Sequence, residues 1–401
     1  MKKTTSIVFT GDIGFDKHME GKWADENILS LAVLEFLHSA DHVCANVEGA
    51  LYNAVDNGEK GVCFHAMDPN ASKVLQKMHA DIWSFGNNHT MDAGPEGVAS
   101  TQKIAKELGC QLFGAGMNIE EASAPIYLDE AGGIGMICLA YMNGCDPATE
   151  TQAGIFRWDD FDRIEKCIAE IKSKCRWCVI ACHGGEEFTA LATPYTRDRY
   201  LKFLEMGADV VVGHHPHVAE NYELFDNGKA IFYSLGNFIF DTDYQRAHPY
   251  TDVGILLKLI FTESEITFDA IGIKIIRGPE QIDVTPLPDI FTNVPASEYE
   301  LLAPLAAKGF VIDEKRKMVY WDPPKYTNCD QKVWDERFAN FAEYTKGAHM
   351  DGEYLLNLAA KADEGAWKLS KLEKVKQYML NQLKEFENNE DIDCIYRRHR
   401  F

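Results

Sequence analysis

Three stretches of the chain, IGMICLA (134–140), WCVIAC (177–182) and DVVVG (209–213), offer almost no position at which a strand could face water. A strand with one wet face alternates apolar and polar residues, so unbroken apolar runs imply sheets covered on both sides. Four more short runs behave as strands: TSIVFT (5–10), HVCAN (42–46), DIWSF (81–85) and AIFYSL (230–235). Helical spacing fills the intervals in ENILSLAVLEFLHS (26–39), PNASKVLQKMHA (69–80), GPEGVASTQKIAKELG (94–109) and DDFDRIEKCIAEIKSK (159–174). The alternation predicts an α/β fold, in which ligands gather beyond the strand ends. From about residue 254 two strands follow each other directly, GILLKLIFT and TFDAIGIKII, with ESE as the turn of a hairpin. The proline-rich RGPEQIDVTPLPDIFTNVP (277–295) reads as an irregular passage, and helical spacing returns near 331–347 and 369–388. A chain of 401 residues exceeds the roughly 250–300 that one core supports. The expected division is therefore an α/β domain over 1–276 and a connection with a mostly helical extension over 277–401.

The formal charge of −22 excludes a basic nucleic-acid footprint. An anionic substrate would need cations placed locally, as metal ions or chosen Lys and Arg. MKKTTSIVFTGD holds too few apolar residues for a signal-peptide core, and no run of about 18 apolar residues occurs elsewhere. A cytoplasmic protein is the expectation. The eleven cysteines fit a reducing compartment, and Cys175, Cys178 and Cys182 read as small buried hydrophobes rather than zinc ligands.

Five of the strand-like runs end in acid-base or metal-capable groups. IVFTGD ends in Asp12, VCANVEG reaches Glu48, IWSFGNNHTMD reaches Asn88, His89 and Asp92, CVIACHGGEE reaches His183, and DVVVGHHPH reaches His215 and His217. Each alone has a plain structural reading: a turn aspartate, a helix-capping Asn-His, a hydrogen-bonded surface histidine. Together at the edge of one sheet system they predict a shared site. The nitrogen and oxygen donor set suits Mn, Fe, Zn or Mg, and two ions could share one carboxylate. In an extended His215-Pro216-His217 both imidazoles would point the same way, leaving His214 turned away as a packing or supporting residue.

The stretches FTGDIGF, ANVEGAL, SFGNNHTMDAG, CHGGEEF, GADVVVGHHPHVAE and YSLGNFIFD, in that order over residues 7–241, resemble the CapA-type proteins of poly-γ-glutamate capsule synthesis. That family is similar to the calcineurin-like metallophosphoesterases. The resemblance implies a four-layer α-β-β-α sandwich of two mixed sheets. It also implies that Asp12 and His217 bind one metal, that Asn88, His183 and His215 bind the other, and that Glu48 bridges them. His89 would stabilise or protonate the leaving group, oriented by Asp92. Lys17 and His65 stand where the family often has Arg, and Glu187 matches a family glutamate that reads equally well as a loop carboxylate. Asn237, with Ser234 and Gly236, either touches substrate or makes the turn ending a strand. Gly14 stands where the superfamily has a histidine, and Gly184 replaces a usual Trp, which would widen the pocket wall.

Three functions follow as expectations. The first is a metal-dependent hydrolase-like protein acting on a poly-γ-glutamate type chain or its phosphorylated precursor, with capsule-synthesis partners through which it could meet a membrane. The second is a phosphoesterase with a small phosphorylated substrate. The third is a non-catalytic assembly subunit that keeps the pocket. Arg197 and Arg199 in TPYTRDRY would line a substrate groove or, as a helix face, be solvated.

Overall fold

A computed structural model describes residues 2–53, 64–141, 146–185, 187–188, 192, 194–246, 248, 250–288 and 290–295, together with two short strands at 310–313 and 318–321. In chain order the principal elements are β1 (Thr4–Ile13), α1 (Leu31–His38), β2 (His42–Val47), β3 (Ala50–Leu51), β4 (Ala66–Met67), α2 (Ser72–Lys77), β5 (Ile82–Ser84), α3 (Gly94–Leu108), β6 (Gln111–Phe113), β7 (Ala115–Gly116), α4 (Ile119–Ser123), β8 (Ile126–Leu128), β9 (Ile134–Ala140) and β10 (Gly154–Ile155). They continue with α5 (Phe161–Lys174), β11 (Trp177–His183), α6 (Pro194–Met206), β12 (Val210–His214), β13 (Tyr222–Leu224), β14 (Ala230–Phe232), β15 (Asn237–Ile239), α7 (Asp243–Arg246), β16 (Val253–Thr262), β17 (Ile266–Ile276) and β18 (Gln281–Thr285).

Most of the strands form two mixed sheets, while β3 with β4, β7 with β10, and the strands at 310–313 and 318–321 make separate two-stranded pairs. One mixed sheet runs β18-β17-β16-β1-β2-β5-β6, with β15 also paired to β1, and the other runs β13-β14-β12-β11-β9-β8. Three apolar layers show how they stack. Ile7, Phe9, Cys44 and Ile82 of the first sheet meet Met136, Val179 and Val210 of the second in a core between the sheets. The opposite face of the first sheet, with Val8, Val43 and Trp83, packs on Leu37, Val74 and Val98 of α1, α2 and α3. The opposite face of the second, with Ile137, Ile180 and Val211, packs on Ile164 and Ile168 of α5 and Phe203 of α6. The result is a four-layer α-β-β-α sandwich, and it explains why β9, β11 and β12 are apolar at successive positions: both of their faces are buried.

The hairpin β16–β17 joins the first sheet antiparallel to β1. The passage 277–295, expected to be irregular, supplies the edge strand β18, which pairs with β17. Phe291 and Val294 then enter two of the cores, so the packed unit continues past residue 276. Prolines at 279, 286 and 288 flank β18 without interrupting its ladder. The helical stretches expected near 331–347 and 369–388 lie outside the described residues. No helix among the described residues is long and apolar enough to cross a membrane. Cys178 and Cys182 are free, buried thiols on the outer face of β11, and burial pushes both pKa values up.

Arg197 of TPYTRDRY is buried and Arg199 half-buried, so neither is a freely solvated cation. The Arg197 guanidinium makes two bonds to Glu223, at 2.6 and 2.9 Å, and Tyr233 donates to the same carboxylate at 2.5 Å. Arg199 lies over the rings of Trp158 and Phe161. Arg197 fastens α6 to β13, and Arg199 fastens it to the start of α5 and the segment before it. Replacing Arg197 by Met would strand a carboxylate that is 1% exposed, so we expect about 3–5 kcal/mol of lost stability in urea unfolding, more than for Glu223→Gln.

Candidate metal centre

The site forms where the inner faces of both sheets turn from apolar to polar. Along β2 the side chains facing the other sheet are Cys44 and then Asn46, and Glu48 follows with the same alternation. Along β5 Ser84 follows Ile82, and along β11 His183 follows Val179 and Ala181. Asp12 needs an extra device, because Ile7 and Phe9 face inward and strict alternation would point residue 12 at the helices. Between Phe9 and Asp12 the pairing with β2 slips: Phe9 is opposite Cys44 and Asp12 opposite Asn46, three residues against two. This β-bulge turns Asp12 into the gap between the sheets and Ile13 back to the helix side.

The groups so gathered are close. Asn46 Nδ2 donates to Asp12 Oδ1 at 2.8 Å and lies 3.4 Å from His183 Nδ1. His183 Nε2 is 2.8 Å from Asn88 Oδ1 and 3.7 Å from Glu48 Oε1. His217 Nδ1 stands 3.2 Å from Asp12 Oδ2, and its Nε2 is 3.7 Å from Glu48 Oε1. Donor atoms of Asp12, Glu48 and His183 lie within 4.8 Å of one another, as do those of Glu187, His215 and His217. These two groups cut across the division the resemblance implies, whereas the Asn88–His183 and Asp12–His217 contacts follow it.

The electrostatics are those of a site built around positive charge. Asp12 Oδ2 and both Glu48 oxygens are buried without a hydrogen-bond donor among the described residues, and so are both ring nitrogens of His215. Stranding carboxylate oxygens this way costs several kcal/mol unless a cation compensates. Burial, with Asp12 beside it, raises the Glu48 carboxyl well above its ordinary range. Burial pushes His215 down to about 4 and holds His183 well below its usual value, so both are neutral imidazoles with lone pairs to offer. Burial opposes charge on His217 as well, yet Glu48 and Asp12 hold it up to about 10; a proton serves there as the compensating cation. The donor set fits divalent metal ions: oxygen from Asp12, Glu48, Glu187 and Asn88, nitrogen from His183, His215 and His217.

Beside it, His89 Nδ1 is 2.7 Å from Asp92 Oδ2, and its Nε2 is 3.9 Å from Glu48 Oε1. Burial, with His65 next to it, pushes His89 down to about 4. His65 meets His89 edge-on, with ring centroids 4.2 Å apart, while its own Nδ1 is 2.5 Å from Asp16.

The sequence profile of the family described as bacterial capsule synthesis protein PGA_cap matches residues 6–242, more than half of the chain. The chain belongs to this capsule synthesis family. Its PGA_cap region contains every site residue named above. The PGA biosynthesis protein CapA of Bacillus subtilis (strain 168) is 29% identical over 261 residues, covering 63% of this chain and 68% of that protein. The capsule biosynthesis protein CapA of Bacillus anthracis is 26% identical over 254 residues, covering 60% of this chain and 61% of its own. A probable polyglutamine synthesis accessory protein of Mycobacterium tuberculosis is 24% identical over 249 residues, covering 58% and 63%. The chain thus spans between 61% and 68% of the length of these relatives. Among solved structures, that of TT1561 of Thermus thermophilus overlays 66% of this chain and 98% of its own at 10% identity with a TM-score of 0.36, too loose a match to add to the sheet topology.

Several sequence expectations for this PGA_cap chain are corrected by the geometry. β12 ends at His214, and His215-Pro216-His217 is bent, with φ of 99° at His215 and 58° at His217. The two imidazoles converge through left-handed backbone, with centroids 6.0 Å apart, and an extended strand plays no part. His214 faces the site, its Nδ1 3.6 Å from Asp12 Oδ1. Gly184 does not widen the wall, since a Cβ there would stand 2.7 Å from the indole of Trp158 and from Tyr141 Cβ. Asn237 is buried, its Oδ1 2.9 Å from His217 Nδ1 and its Nδ2 donating to Gln245 and to the Thr251 carbonyl, so it orients that histidine. Ser234 makes the turn, bonding the Val218 carbonyl and the Gly236 N–H. Lys17 is exposed on a 3₁₀ turn, and Glu187 accepts from the Tyr244 hydroxyl at 3.1 Å. Sequence reasoning misses Asn46, although it sits two residues before Glu48 on the same strand face. In chelator-treated protein, Glu48→Gln removes the costliest buried charge, and we expect it to be about 1–3 kcal/mol more stable than wild type by urea unfolding.

Proposed function

We propose that this chain is a metal-dependent, hydrolase-like member of the capsule synthesis family that processes a poly-γ-glutamate type polymer or its phosphorylated precursor. The observation that carries the reading is the set of buried carboxylate oxygens without donors among the described residues, beside the neutral imidazoles of His183 and His215. Relatives named for PGA and capsule biosynthesis supply the substrate class. Asp12, Glu48, Asn88, His183, His215 and His217 would hold two divalent ions, with Glu48 in the first group and 3.7 Å from His217 of the second, and Glu187 at the rim. Bound there, the ions would supply Lewis acidity to the bond under attack and to the attacking water.

The chain's own residues do the rest. Asp92 fixes His89 through Nδ1, leaving Nε2 directed at the space beside Glu48, where a neutral imidazole can take up a proton and return it to the leaving group. Asp92 also accepts the backbone N–H of His65 at 2.8 Å, which ties the loop carrying His65 to the same carboxylate. Phe240 packs against His65 and His217 and excludes water from between them. Asn46 spaces Asp12 from His183, and Asn237 sets the ring orientation of His217. Lys17, exposed beside Asp16, would be a cation available to an incoming anion. Contact with a membrane-bound synthesis machinery would run through partner proteins.

The test is metal analysis of protein purified without added metal, followed by assay on an aryl phosphate and on a γ-glutamyl oligomer. We expect His89→Ala to lower turnover by roughly 10²-fold or more while metal content stays at the wild-type level. Cleavage of the phosphate alone identifies a phosphoesterase of small substrates. A metal-loaded protein that cleaves neither is an assembly subunit, and the hydrolase reading falls.

A further inference from the structure

The strand parity of β12 assigns a role to a residue that the site described so far does not use. Val210 and Val212 belong to the core between the sheets and Val211 to the core behind it, so His214 is the next residue to face inward. It is the register partner of His183 on β11, which projects into the same space. His214 is buried, and its Nδ1 has no hydrogen-bond partner among the described residues. That nitrogen lies 3.6 Å from Asp12 Oδ1, too far for a hydrogen bond. It is close to the separation of about 3.0–3.5 Å expected for two neighbouring ligands each about 2.0–2.2 Å from one ion.

The other side of Asp12 is closed. Gly14, the next residue but one on the chain, has no side chain, and a Cβ there would stand 2.8 Å from the ring of Phe240. Strand β1 therefore offers no second donor next to its aspartate. Across the gap, His217 Nδ1 approaches Asp12 Oδ2 and His214 Nδ1 approaches Oδ1, while Asn46 steadies the carboxylate through Oδ1.

We infer that His214 is a nitrogen ligand, through Nδ1, of the cation held by Asp12, supplied by the second sheet because Phe240 blocks the first. This deepens the metal-centre reading and rests on it. The alternative is a residue that only positions Asp12, and metal affinity alone does not separate the two, because loss of a supporting residue also weakens binding.

The experiment uses full-length protein loaded with Co²⁺ alone. X-ray absorption at the cobalt edge counts coordinated imidazoles in wild type and in His214→Gln, with chelator-treated melting curves as the folding control. A second variant, His214→Cys, places a thiol where Nδ1 stands, and direct ligation gives it a thiolate-to-cobalt charge-transfer band that wild type lacks. We expect His214→Gln to lose one imidazole from the average shell and His214→Cys to show the band. An unchanged imidazole count in a folded His214→Gln, or a folded, cobalt-loaded His214→Cys with no such band, overturns the ligand role and leaves the metal centre standing. A wild type that takes up no Co²⁺ overturns the metal-centre reading and this inference together.

Discussion

Two carboxylates held between apolar sheets, with three of their four oxygens out of reach of hydrogen-bond donors among the described residues, are the condition around which this molecule is arranged. Asp12 and Glu48 are both fully buried. Glu48 stands there by the regular alternation of β2, and Asp12 because a single extra residue in β1 reverses the alternation of that strand after Phe9. Without the bulge Ile13 would fill the gap and Asp12 would press into the helices beneath Val33 and Leu37, a far worse place for a charge. One irregularity of pairing thus decides whether the strand ends form a polar pocket or more core. The apolar layer below the pocket keeps its dielectric low, which magnifies every charge interaction within it.

Part of the molecule's backbone strain lies at the same pocket. Phe188, His215 and His217 all have positive φ, conformations that non-glycine residues adopt at a cost of order 1–3 kcal/mol each. Their side chains are the ones that close the site. His217 packs on Phe240, and Phe188 stacks on His248 with ring centroids 3.8 Å apart. A relaxed extended segment after β12 would carry His215 and His217 onward along the sheet and away from Asp12. The strain is offset by the burial of these rings and by the Asn237 bond that holds His217 in place.

The sequence displays the scaffold more openly than the pocket. Doubly buried strands are legible because their composition is uniform, and β9 coincides with IGMICLA residue for residue. The hairpin β16–β17 is legible from two long apolar runs with almost no room between them. β18 is hidden because its prolines flank it and its residues Gln281 and Asp283 look like loop chemistry, although Ile282 is fully buried. The residues of the pocket are visible by type, since Asp, Glu, Asn and His seldom end five apolar runs by accident. Their directions are not. Counting parity backward from an extended His215-Pro216-His217 turns His214 away, whereas counting forward from Val210 and Val212 points it inward, as the structure has it. Arg197 reads as a solvated or groove-lining cation because its buried partner, Glu223, lies on a strand too short to announce itself.

The overall charge of −22 gives the pocket a further duty under the function proposed here. A polyanion approaching this surface is repelled until it meets local positive charge, and Coulomb repulsion between exposed groups fades only over about 8–10 Å at moderate salt. The aromatic rings at the rim supply no charge, and Arg197, Arg246 and Arg277 are committed to Glu223, Asp241 and Glu280. Beyond the exposed Lys17, attraction would then come from within the pocket, from the same cations that the orphaned carboxylates call for. Binding the substrate and activating it would be two consequences of one loading step, so that a site without its ions repels the polymer as well as failing to act on it.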